Sequence, residues 1–146
     1  MRGGARTRTV AIVTLVPVLL LAACNDDEGS AASLEGPTWT LESFAVGGGQ
    51  QPVPEGVGAT VTFADGTVQG NSGCNSFSGS YEVSGDRLTF GPLASTMMAC
   101  ESPRSDVEAV VLSALEATAS FGIQDGTLTL FDEADADLLA YAEASS

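Results

Sequence analysis

The chain has 146 residues, enough for one domain, with 19 acidic against five basic residues, no histidine and a formal net charge of −14. The missing histidine excludes Ser-His and Cys-His catalysis and histidine-based metal sites. Negative charge on this scale repels phosphate backbones and anionic headgroups, so no nucleic acid is expected as a partner, and any membrane attachment must rest on something other than charge.

Three of the five basic residues, Arg2, Arg6 and Arg8, sit at the very start. An apolar run from Val10 to Leu21, interrupted by Pro17, follows them. It is too short to span a bilayer but suits a signal-peptide core. Leu21-Ala22-Ala23-Cys24 comes next and looks like a bacterial lipobox, whose cysteine is acylated and becomes the new N-terminus. Residues 1–23 therefore read as a lipoprotein signal peptide. Cys24 reads as the lipidation site, where two or more acyl chains would anchor the protein stably. Only Arg87 and Arg104 lie beyond Cys24, two positive charges against 19 negative ones, a net −17. Such a surface keeps a domain soluble.

Residues 24–35 are polar, acidic and rich in Ser and Ala, which reads as a flexible tether. The folded domain is expected over 36–142, with 143–146 as a tail. Trp39 and Leu41 alternate with polar neighbours on a first strand, and Phe44 and Val46 continue its inward face after a slip of one. Gly47 to Pro54 reads as a flexible loop. Val61 and Phe63 mark a second strand, and Asp65-Gly66 turns it into Thr67-Val68-Gln69.

The stretch from Gly70 to Cys100 organises the rest. Tyr81 and Val83 alternate with Glu82 and Ser84, and Leu88 and Phe90 with Arg87 and Thr89. That period of two predicts two strands joined by a turn at Ser84-Gly85-Asp86. Leu93 to Cys100 has little periodicity and predicts a loop or an edge strand. A helix opens near Ser102, with Ser105 and Glu108 at capping-box spacing and Asp106 suited to the helix N-terminus. Val107, Val111, Ala114, Leu115 and Thr118 share one face, which predicts core contact, and the helix is expected to end near Ala119. Phe121 and Ile123 begin another strand, Asp125-Gly126 turns it, Thr127 to Phe131 returns, and Leu138 to Tyr141 reads as the last strand.

The residues Gly73-Cys74-Asn75, Phe77-Ser78-Gly79-Ser80-Tyr81, Leu88-Thr89-Phe90 and Thr96-Met97-Met98-Ala99-Cys100 resemble the META domain of HslJ-like bacterial envelope lipoproteins. With flanking strands the resemblance covers roughly Gly36 to Tyr141. It implies a small α+β domain, an association with envelope or heat stress, and no catalytic residues. No cofactor is expected. The fold expected is α+β: a small, strongly twisted antiparallel β-sheet or partly closed barrel with one packed helix.

Two further groups could carry chemistry. Cys74 and Cys100 have three arrangements open to them: a disulfide, two free buried thiols, or a redox pair. Export to an oxidising compartment favours the disulfide, and the absence of CxxC spacing disfavours the redox pair. The acidic run Asp132-Glu133-Ala134-Asp135-Ala136-Asp137 could offer oxygen ligands to calcium, but it lacks EF-hand order and reads as a hydrated hairpin loop. It also lacks the glycine that the family usually places in this turn. The function expected is a non-enzymatic, lipid-anchored, extracytoplasmic protein, a monomer, that binds or protects an envelope protein or ligand. The alternative is an acidic calcium-binding module or a carboxylate-based enzyme.

Overall fold

Three short turns write most of the topology. Asp65-Gly66 and Asp125-Gly126 both place positive φ at two successive residues, 50° then 75° and 51° then 76°. That is the type I′ pattern, whose twist matches the strands it joins. At the third, Gly85 alone has positive φ, 63°, as a type II′ turn requires at its first central position.

The computed structural model describes residues 34–145. Its elements are β1 (Thr38–Val46), β2 (Gly49–Pro52), β3 (Ala59–Ala64), β4 (Thr67–Ser72), β5 (Ser76–Ser84), β6 (Arg87–Phe90), β7 (Ala94–Ser95), helix α1 (Arg104–Ala117), β8 (Ser120–Gln124), β9 (Thr127–Phe131) and β10 (Asp137–Glu143). The antiparallel ring runs β1-β3-β4-β5-β6-β8-β9-β10 and returns to β1, a closed eight-stranded barrel. Closure joins Trp39 to Glu143 and Phe44 to Leu139 in register. The architecture fits the small β-sheet or barrel with one helix that was expected, and it is mainly β with the barrel fully closed. Closure leaves the ring without a free edge.

Alternation along the strands fills the barrel. Trp39, Leu41, Val61, Phe63, Val68, Phe77, Tyr81, Leu88, Leu128, Leu130, Leu139 and Tyr141 are buried in one cluster. Phe63 meets Tyr81 edge-on with ring centroids 5.1 Å apart, a favourable aromatic geometry. Phe77 lies over Gly70, where an added Cβ would come 2.0 Å from the Thr60 carbonyl oxygen. Only glycine lets β4 approach β3 so closely there. The apolar interior is packed with side chains and is not a pore. Among the described residues no helix is long and apolar enough to cross a membrane.

Helix α1 touches β4, β6 and β10, strands separated around the ring. Its Val107, Val111, Ala114 and Leu115 join the interior cluster, so it seals an opening in the barrel. Thr118 is also buried, and its hydroxyl donates to the Ala114 carbonyl at 2.8 Å as the helix stops. The helix ends at Ala117, two residues short of Ala119, because Thr118 turns to extended backbone.

Several local expectations are corrected. The slip in β1 is real, a register shift between Leu41 and Ser43, but Val46 beyond it is 43% exposed. Gly47 and Gly48 take positive φ and turn the chain into β2, so the supposed loop is a β1–β2 hairpin. The domain also reaches further at both ends. Leu34, assigned to the tether, is fully buried, and its carbonyl accepts the Trp39 indole N–H at 3.0 Å. The Glu35 carboxylate accepts a hydrogen bond from the Tyr81 hydroxyl. Burial first, and then this carboxylate, push the Tyr81 phenol up to about 12. At the other end Glu143 lies in β10, and the Ala144 N–H donates to the Thr38 carbonyl at 2.8 Å. Cys24 and the leader lie outside the described residues.

Candidate binding surface around the methionine ridge

The segment after β6 crosses the domain and stops pairing almost at once. Only Ala94 and Ser95 reach β5, opposite Ser78 and Phe77. The five residues from Thr96 to Cys100 belong to no strand, yet they are held at both ends. The structure places a disulfide between Cys74 and Cys100, with their Cα atoms 6.0 Å apart.

Asn75 holds the middle. Its side-chain oxygen accepts from the Met98 backbone N–H at 2.6 Å and the Thr96 hydroxyl at 2.9 Å. Its Nδ2 donates to the Met98 carbonyl at 3.1 Å and to the Glu108 carboxylate at 3.1 Å. One buried amide thus uses both its donors and both acceptor positions. Glu108 in turn accepts from the Asn75 backbone N–H at 3.1 Å and has the Ser72 hydroxyl at 2.8 Å. Loop, helix and the end of β4 meet at this network.

The capping-box expectation fails here. Pro103 occupies the N-cap position and makes no side-chain cap. Glu108 reaches across to Asn75 and Ser72 instead of back to its own helix, because those donors are buried and need an acceptor.

The result is a ridge that displays Met97, 96% exposed, and Met98, 61% exposed. A groove of about 610 Å³ separates it from α1 and is lined by Met97, Met98 and Ala99 on one side and Ser105, Ala109 and Leu112 on the other. The helix therefore has two working faces. Val107, Val111, Ala114 and Leu115 face the core, and Ser105, Ala109 and Leu112 face the groove at helical spacing. Beyond the ridge lies a second depression of about 590 Å³ on the outer wall, where Thr60, Thr62, Gln69, Ser76 and Ser78 present hydroxyl and amide groups without charge. The strand register aligns Thr62, Gln69 and Ser78 across β3, β4 and β5.

The acidic loop before β10 is not arranged as a cation site. Asp132 Oδ1 accepts the Ala134 N–H at 2.8 Å and the Ala136 N–H at 2.9 Å. Asp135, with φ 59°, takes a left-handed conformation that Asp tolerates better than most residues. Among the described residues no three His, Cys, Asp or Glu side chains group so that they could hold a metal ion.

The family model described as META domain matches residues 32–145. The chain belongs to the META domain family. Among curated proteins none matches it in sequence. A protein from Burkholderia xenovorans, solved by NMR, is 24% identical, covers 100% of both chains and superposes with a TM-score of 0.69. Another NMR structure is 27% identical over 77% of this chain and 92% of its own, with a TM-score of 0.61. A DUF4847 family protein from Bacteroides vulgatus ATCC 8482, solved as a crystal structure, is 16% identical over 81% of this chain and 99% of its own, with a TM-score of 0.58. These similarities bear on the META fold and carry no activity.

In this META domain the two motif segments that stand apart in sequence are one object in space. Sequence reasoning singled out Cys74 and Cys100 but missed Asn75 and Glu108 as the clamp, and Met97 and Met98 as its display. The available signal was a Met-Met pair without periodicity beside a cysteine. Asn75→Ala should destabilise the domain by about 1–3 kcal/mol, the cost of leaving buried partners unmade. Hydrogen exchange at Met98 should accelerate well beyond that at β5. Unchanged exchange at Met98 would show that the disulfide alone holds the ridge.

Proposed function

We propose that this META domain is a non-enzymatic binding module on a membrane-anchored extracytoplasmic lipoprotein, engaging an envelope partner in a protective role under envelope or heat stress. The observation that carries the reading is the display of two methionines on a segment locked by a disulfide and by Asn75. Exposed apolar side chains cost solubility and are retained where they meet a partner. Rigid backbone beneath them lowers the ordering cost of binding. Leu21-Ala22-Ala23-Cys24 and the basic, apolar leader support the anchor. The stress role rests on the resemblance to HslJ-like lipoproteins.

The chain has three methionines, and Met1 falls in the leader, so photo-methionine in the mature protein reports positions 97 and 98 alone. Irradiated intact envelopes should give protein adducts at those positions. Adducts no stronger than those of a Met97→Ser/Met98→Ser control would overturn the binding reading. The anchor is tested separately. Cys24→Ser should release the domain from the membrane fraction or leave its precursor uncleaved, and mass spectrometry showing an unmodified Cys24 in mature wild-type protein would refute lipidation.

A further inference from the structure

The groove beside the methionine ridge has a chemistry that narrows its occupant. We infer that it takes a peptide segment combining apolar and basic side chains, an inference that rests on the binding reading above. Both walls are apolar where they face each other, through Met97, Met98, Ala109 and Leu112. Thioether side chains are unbranched and polarizable, so they adapt to leucine, phenylalanine or valine without demanding one shape. A ridge of this kind suits a family of related segments more than one rigid ligand.

Charge supplies the second half. Glu101 is exposed immediately after the ridge, and Glu116 is exposed one turn beyond Leu112 on the same helix. Among the described residues neither carboxylate makes a side-chain hydrogen bond, whereas that of Glu108 is occupied by Asn75 and Ser72. Opposing cations are scarce. The chain has no lysine, Arg104 donates through Nε to the Gly73 carbonyl at 2.9 Å, and Arg87 lies on the β5–β6 hairpin. The groove is thus a mainly apolar trough with Glu108 in its lining, flanked along the chain by Glu101 and Glu116, on a strongly negative protein. Lysine or arginine flanking apolar residues would be steered to it, and acidic segments and anionic lipid headgroups would be repelled. Hydroxyl and amide groups across the ridge, at Ser76, Ser78 and Gln69, offer hydrogen bonds to a peptide backbone that crosses Ser95 and Thr96.

The test uses the full mature chain purified from envelopes in mild non-ionic detergent. Fluorescently labelled twelve-residue-scale peptides alternating leucine with lysine, with glutamate or with serine are titrated by anisotropy. The lysine peptide should bind at least about tenfold more tightly than the glutamate peptide, and the gap should shrink several-fold as salt shortens the Debye length from about 10 Å towards about 3 Å. Carbon-13 labels on the methionine methyl groups should give two signals, both shifted by the lysine peptide. Met97→Ser/Met98→Ser should weaken binding at least about tenfold with an unchanged melting temperature, because both side chains are exposed. Glu101→Gln/Glu116→Gln should weaken the lysine peptide several-fold and leave the serine peptide unaffected. Equal binding of lysine and glutamate peptides, or binding that leaves both methyl signals in place, would overturn the inference. If no peptide binds while photo-methionine adducts still form in envelopes, the occupant class is wrong and the binding reading survives.

Discussion

Leu115→Ala is expected to destabilise the domain by about 2–5 kcal/mol, while Glu116→Ala changes it by no more than about 0.5 kcal/mol. The two residues are neighbours in sequence and opposite in environment. Leu115 is fully buried and joins Val107, Val111 and Ala114 in the interior cluster. Glu116 is exposed. The site cannot collapse easily around a lost isobutyl group, since a closed ring of hydrogen-bonded strands resists local inward movement. The expected cost therefore lies towards the upper part of the range, where residual cavity volume adds to lost transfer energy. Urea denaturation of the two variants measures the difference directly. Equal losses would mean that α1 presents another face to the barrel.

Removing the Cys74–Cys100 bridge is the second large effect, about 3–4 kcal/mol on the chain-entropy model for its sequence separation of 26. The bridge ties the turn after β4 to the approach of α1, across a segment with almost no strand pairing of its own. Reduced protein should melt at a lower temperature and from the same fold, because the Asn75 network remains in place. Cys74 is 1% exposed, so its reduced thiol would persist as a small buried apolar group, beside a half-buried Cys100. Thiol counting on unfolded, unreduced protein should find no free Cys74 or Cys100. Two alkylatable thiols in protein taken directly from the envelope would refute the bridge in the cell.

Both effects concern parts of the molecule that differ in how legible they are from sequence. The core face of α1 follows from spacing, because residues at helical intervals must share a side. The strands flanking Asp65-Gly66, Gly85 and Asp125-Gly126 follow from turn chemistry confined to four residues. Gly47-Gly48 carries the same turn information, but the third glycine and the prolines beside it make the stretch read as a flexible loop. The META resemblance rested on Gly73-Cys74-Asn75 and Thr96-Met97-Met98-Ala99-Cys100, and these proved to be partners. Nothing in their spacing said that Asn75 would bind both sides of the Met98 peptide. That pairing depends on backbone groups, which every residue carries.

The sequence by itself determined the hairpins, the inward-facing residues of most strands, the helix and its buried face, and the negative charge of everything beyond Cys24. Each follows from interactions between residues a few positions apart, or from simple counting. Tertiary structure alone decided that the sheet closes through β1 and β10, that Leu34 lies inside and Val46 outside, that Glu108 serves Asn75 instead of its helix cap, and that Met97 and Met98 stand in the open. Closure depends on twist and stagger accumulated over eight strands. A side chain's exposure at a strand end or on an aperiodic segment depends on what the closed ring brings beside it, and no local pattern encodes that.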